Sequence, residues 1–209
     1  MNAMQKTKFL IELLCDLFAA KVEEIKVFDN KIWILDFVEE RQGGYSYDAV
    51  VWNETKQTDE ELRHVLLDLH PRSLTFHQQT CDEFRIENFD KKYEKLTVSA
   101  AKWMTVKNLF QLDCVKLKIH KKRFSNTEIN WYLKHVLNGE APRLCEFMAD
   151  VENPIEDEIM DGVQDLLTGR ERSEDRNGNW KWNGKVATEE GSLLVNIKFL
   201  RFGRICVYI

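Results

Sequence analysis

The sequence predicts an α/β chain. Short strand–helix units repeat along one curved sheet, a degenerate leucine-rich-repeat-like solenoid, and an antiparallel β element follows at the C-terminus. Three observations predict this. Strand-like segments begin near residues 23, 47, 73, 94, 115 and 144, at intervals of 21 to 29 residues, the period of one strand plus one helix per repeat. These segments alternate polar and apolar residues, whereas parallel strands covered on both faces are apolar throughout, so a doubly wound sheet fits less well. After residue 150 the pattern changes to short strands separated by Asn-Gly and Gly, which is hairpin chemistry.

Taken in order, Thr7–Ala20 reads as a helix with Phe9, Leu10, Leu13, Leu14, Leu17 and Phe18 on one face. Glu23–Phe28 reads as a strand, and Ile32–Gln42 as a second helix stopped by Gly43-Gly44. Tyr47–Trp52 is the next strand. Thr58 and Glu61 form a capping box that opens a helix with Leu62, Val65, Leu66 and Leu69 inward, ended by Pro71. Strands follow at Ser73–His77 and Glu94–Ser99. Thr105 caps a short helix carrying Val106, Leu109 and Phe110. Val115, Leu117 and Ile119 alternate as a half-buried strand. Ser125 and Glu128 form another capping box, before the stripe Ile129, Tyr132, Leu133, Val136 and Leu137. Gly139 ends that helix and Pro142 prevents its continuation. Pro154 opens a helix through Ile159 and Val163. The run Arg170–Arg176 reads as a charged, mobile loop. Asn183-Gly184 reads as a hairpin turn, and Leu193–Phe199 with Arg204–Ile209 as a strand pair around Gly203. The whole of 1–209 reads as a single domain, strand–helix repeats over 1–150 and helix, charged loop and β-hairpins over 151–209.

The stretch from Trp103 to Leu144 contains W-M-T-x-x-x-L-x-x-L-D-C, then a strand, then N-T-x-I-N-x-x-L-K-H, then N-G-x-x-P-R-L. That order resembles the F-box-associated domain, type 2, expanded in nematodes. The segments Leu14–Phe18, Ile32–Gln42 and Asn183–Thr188 resemble the same family's flanking parts. Val136 departs from the family, which usually has tryptophan there. The resemblance implies a non-catalytic protein-interaction module, the substrate-recognition half of an F-box ubiquitin-ligase subunit. The family's F-box opens with Leu-Pro, and no proline precedes Pro71 here. The expectation is therefore an F-box-less chain that does not bind a Skp-type adaptor.

A net charge of −5 argues against a general nucleic-acid binder. The five cysteines include no C-x-x-C pair, which points to reduced thiols in a cytoplasmic or nuclear protein. Glu12 and Asp16 interrupt the first apolar run, so it reads as an amphipathic helix and not a signal peptide; no stretch reaches transmembrane length. There is no G-x-S-x-G, phosphate loop or H-E-x-x-H, so no enzyme activity and no cofactor are expected. His64, His70, His77 and Cys81 match no common zinc spacing, and no metal is expected.

Two surfaces remain. The run Lys116, Lys118, His120, Lys121, Lys122, Arg123 reads either as an RNA-binding strand with aromatic stacking from Phe124, or as a strand's polar side running into a solvated loop. Trp131 lies off its helix's apolar stripe. The strand pattern turns Ile25, Val51, Phe76, Val98 and Leu117 toward the helices and their neighbours outward. The outward set includes Lys26, Thr75 and Thr97, and its candidate partner-binding residues are Phe28, Val50, Trp52, His77, Lys116, Lys118 and Met148. The competing expectation is that the C-terminal strands fold back over them.

Overall fold

A computed structural model describes residues 2–28, 31–52, 58–77, 80–188, 191–200 and 203–209. The chain is a mixed α/β protein built on one large open sheet of ten strands. The strands are β1 (Glu24–Phe28), β2 (Asp48–Trp52), β3 (Ser73–His77), β4 (Lys92–Ser99), β5 (Asp113–Phe124), β6 (Glu146–Val151), β7 (Thr168–Glu174), β8 (Trp180–Thr188), β9 (Gly191–Leu200) and β10 (Arg204–Tyr208). The helices are α1 (Ala3–Phe18), α2 (Trp33–Gln42), α3 (Asp59–Arg63), α4 (Val106–Gln111), α5 (Asn126–Leu137) and α6 (Glu156–Met160). Strands β1 to β6 pair in sequence order, all parallel. β10 then pairs antiparallel with β6, and β9, β8 and β7 follow as an antiparallel meander.

The register lines up the buried residues in rows. One row runs Val27, Val51, Phe76, Val98, Ile119, Ala149, Ile205, Phe199 across adjacent strands. A second runs Ile25, Ala49, Leu74, Leu96, Leu117, Phe147, Val207, Ile197. Both rows are buried in one core with Leu35, Val38, Leu62, Leu66, Leu109, Ile129 and Leu133 from the helices. Among the described residues, the sheet's other face carries no helix from this core.

Capping explains most helix starts. Asn2 and Gln5, Thr58 and Glu61, Thr105 and Asn108, and Ser125 and Glu128 each form reciprocal capping boxes, satisfying amides that have no partner within the helix. The inward set Leu62, Val65, Leu66 and Leu69 is buried, carried by α3 and a single π-helical turn at His64–Asp68. Gly139 takes φ +82° after α5 and ends it.

Four expectations are corrected. First, α1 forms, but its apolar face points to solvent: Phe9, Leu10, Leu13, Leu14, Leu17 and Phe18 are 46–69 % exposed. The helix packs instead through Lys8, Ile11 and Cys15. Lys8 Nζ lies over the Trp33 and Phe37 rings, and Arg41 of α2 pairs with Asp16.

Second, the charged run 170–176 is largely strand β7, because β8 offers it a ladder of backbone partners. All seven β7 residues are exposed, as suits an edge strand.

Third, Asn183-Gly184 lies inside β8, and the β7–β8 turn is at Asn177-Gly178. Asp175 decides between the two Asn-Gly pairs: its carboxylate accepts the amides of Asn177 and Asn179 at 2.8 and 3.0 Å. Gly184 is used for close approach, since a Cβ there would lie 2.9 Å from Leu167 Cβ.

Fourth, β5 does not end at the basic loop. It continues to Phe124 through a register shift between Ile119 and Arg123, with Lys121 at φ +60° and its amide bonded to Asp150.

The candidate partner-binding face

The helix-free face is organised by the same register, one residue out of step with the core rows. Its lower row is Glu24, Asp48, Ser73, Lys95, Lys116 and Glu146. Its middle row is Lys26, Val50, Thr75, Thr97, Lys118 and Met148. The upper row, at the C-terminal ends of the parallel strands, begins Phe28, Trp52, His77 and continues to Ser99 and His120. All seven candidate residues therefore share one face, on five of the six parallel strands, a span of about 24 Å. The C-terminal strands do not fold back over them. β10 and β9 extend the sheet edgewise and add Tyr208, Cys206, Lys198 and Arg204 to the same rows.

The structure divides the seven into two groups. Phe28, Trp52 and His77 are side by side on β1, β2 and β3, with the Trp52 and His77 rings 4.6 Å apart. Phe28 and Trp52 are 54 % and 46 % exposed, unusual for large apolar side chains on a sheet. Lys116, Lys118 and Met148 lie on β5 and β6, with Val50 in the same middle row on β2. His77 Nδ1 is 2.9 Å from Ser99 Oγ. Burial, reinforced by the nearby Lys121 cation, holds the His77 imidazole below its ordinary pKa. His120 is also held low, chiefly by burial and then by Arg204.

Charge on this face is unevenly matched. Lys118 pairs with Glu146 at 2.8 Å, Lys26 with Glu24 at 3.4 Å, Arg204 with Asp150 at 2.9 Å and Arg72 with Asp48 at 2.9 Å. Lys95 and Lys116, both exposed neighbours, have no ion pair among the described residues. Lys198 lies over the Tyr208 ring at 5.1 Å. The surplus is cationic although the whole chain is acidic. Between them, the Thr97 hydroxyl is buried with no hydrogen-bond partner among the described residues. Lys198 and Tyr208 join this face through strand order and not through local pattern, whereas Lys95 follows from the same alternation that turns Thr97 outward.

The basic run does not make one stripe. Lys118 is already paired, burial holds His120 below its ordinary pKa, and Lys122 lies over the Phe124 ring at 5.5 Å. The register shift also re-aims the residues after Ile119. The RNA-binding alternative therefore gains no support. The zinc alternative fares likewise. His64 lies between Asp36 and Asp68, His70 bonds Glu39, His77 meets Ser99, and Cys81 meets Asp59. Among the described residues no cluster of metal-ligating side chains occurs.

The fold and face define a class: an α/β protein with helices on one side of an open sheet and an uncovered, partly aromatic and cationic face on the other. Residues 80–149 match the family model described as F-box associated, the family that the central stretch resembles. No curated protein and no solved structure matches the chain. The match covers β4 to β6, the middle of the sheet. Its motif residues mostly hold the fold. Asn126 donates to Glu158 and accepts the Ile155 amide, and Asn130 donates to the Ile159 and Asp161 carbonyls. These two asparagines staple α5 to the segment that contains α6. Arg143 reaches Asp113, Glu94 and Tyr45 at the opposite strand ends. Trp103 is buried edge-on to Phe84 and Phe89. Trp131, by contrast, is 54 % exposed.

Proposed function

We propose that the helix-free face binds a protein partner, and that the chain is a non-catalytic recognition module of the F-box-associated kind, serving substrate selection for a ubiquitin ligase. The observation that carries this reading is the row Phe28–Trp52–His77. Large, exposed aromatic groups beside cations are the residue types that dominate protein interfaces, and here a rigid sheet holds them. The family match supports an interaction role. The six parallel strands in sequence order support reading the first 150 residues as a degenerate leucine-rich-repeat-like array, whose bare face is the natural binding side. No helix among the described residues is long and apolar enough to cross a membrane; a cytoplasmic or nuclear setting is part of the proposal. These 209 residues contain no Leu-Pro F-box opening, so they are expected not to co-purify with a Skp-type adaptor.

The test is affinity capture from nuclease-treated extract with the wild type and Trp52→Ala. A specific protein retained by the wild type and lost with the folded variant supports the reading. Equal capture by both sinks it. A partner retained from a parallel untreated extract, lost after nuclease and weakened steeply by salt, would favour phosphate contacts instead.

A further inference from the structure

The end of the sheet at β1 is unfinished, and we propose that it is the interface of a two-fold homodimer. The proposal does not rest on the partner-binding face, although Glu24, Lys26 and Phe28 of that face's rows lie on β1. Two unmet surfaces coincide at this end. The outward columns of α1, Phe9/Leu13/Leu17 and Leu10/Leu14/Phe18, are all exposed, although apolar columns at this spacing require cover. β1, which follows α1 in the chain, is paired among the described residues with β2 alone, which leaves its other edge without a strand partner.

The two ends of the sheet are not alike. The far edge, β7, is guarded: it is wholly exposed, carries Arg170, Glu171, Arg172 and Glu174, and has a register shift against β8. β1 has neither proline nor bulge, and pairs with β2 residue for residue. β1 is short and charged at Glu24 and Lys26, but these charges alternate in sign, so they oppose a like-charged neighbour and accept one that sets glutamate against lysine.

A second copy satisfies both surfaces at once. Two-fold symmetry makes β1 antiparallel to β1 of the second copy and sets α1 antiparallel to its equivalent, with opposed helix dipoles. The pairing must keep apolar residues on one face. With the dyad at Ile25, Ile25 meets Ile25 and Glu24 stands opposite Lys26 of the second copy, twice per dimer. With the dyad at Lys26, like charges would face each other, which is unfavourable. Charge therefore selects the Ile25 register.

The experiment is sedimentation equilibrium of the full chain across the micromolar range. A dimer is expected, and Leu13→Glu with Leu17→Glu is expected to give a monomer with unchanged far-UV circular dichroism, because both residues point outward. Lys26→Glu should weaken association by about tenfold, and adding Glu24→Lys should restore it. A wild type that stays monomeric, or a dimer that survives Leu13→Glu/Leu17→Glu, overturns the interface. Failure of Glu24→Lys to rescue Lys26→Glu overturns the register.

Discussion

Replacing Phe76 and Trp52 by alanine separates core from surface on two adjacent strands. Phe76 is fully buried on β3, flanked by Val51 on β2 and Val98 on β4. Its ring has van der Waals neighbours in the sheet and faces the helices, so truncation removes transfer free energy and leaves a cavity. Together these cost about 3–5 kcal/mol. Trp52 is 46 % exposed, and among the described residues its ring meets the aromatic ring of His77. Losing that contact costs roughly 0.5–1.5 kcal/mol. In urea, with an m-value near about 3 kcal/mol/M for a chain of this size, Phe76→Ala should lower the midpoint by roughly 1–1.5 M and Trp52→Ala by about 0.5 M or less. The m-value should stay constant if unfolding remains two-state. Equal destabilisation by the two substitutions would refute the assignment of Trp52 to an open face. A midpoint that Phe76→Ala leaves unmoved would refute the register.

Asn130→Ala should destabilise by about 1–3 kcal/mol, since two carbonyls lose their shared donor; hydrogen exchange should quicken over 153–161 before it does in the sheet, and uniform quickening would argue against a local staple. Gly184→Ala should cost about 1–3 kcal/mol through overlap with Leu167, read as a lower thermal midpoint, and an unchanged midpoint would show that the two segments separate freely. His64 gives a pH signature. Burial lowers its pKa, but hydrogen bonds to Asp68 and Asp36 outweigh that and leave it raised. Its contribution is therefore fully present below the unfolded value near about 6.5, and is lost as pH rises through the higher folded value. His64→Gln should thus lose most stability, relative to wild type, at low pH and least above the folded pKa; a difference independent of pH would contradict the ion pairs. His77 and His120 are depressed, so their contributions run oppositely, present above the unfolded value and lost as pH falls through the folded one.

The parallel half of the sheet was readable because its determinants are local. Capping boxes at Thr58, Thr105 and Ser125 mark helix starts whatever surrounds them. Alternation set Phe76, Val98, Leu117 and Ile119 inward, and all four are fully buried. The outward set followed by parity, which is why the seven candidate residues share a face. The C-terminal part was less readable because its determinants are pairings. Asn177-Gly178 and Asn183-Gly184 offer the same dipeptide; a local Asx turn at Asp175 favours the first, and Leu167 lying over Gly184, which no local pattern shows, removes the second. A charged run such as 170–174 becomes a strand only once β8 is beside it. That β10 enters between β6 and β9 is likewise a property of the assembled sheet.

The N-terminal helix shows the limit most clearly. Hydrophobic periodicity reports that a helix has an apolar face, not which surface that face meets. In α1 the columns through Leu13 and Leu14 carry the stronger pattern, yet the contacts are made by Lys8, Ile11 and Cys15. Lysine can serve there because its methylenes pack against Trp33 and Phe37 while its ammonium lies over their rings. With that side fixed to α2 by the Arg41–Asp16 pair, the apolar columns have no position in the monomer that buries them. A helix held along Lys8, Ile11 and Cys15 that leaves two further apolar columns open has the pattern of an element packed from two directions, and within the described residues only one of those directions is filled.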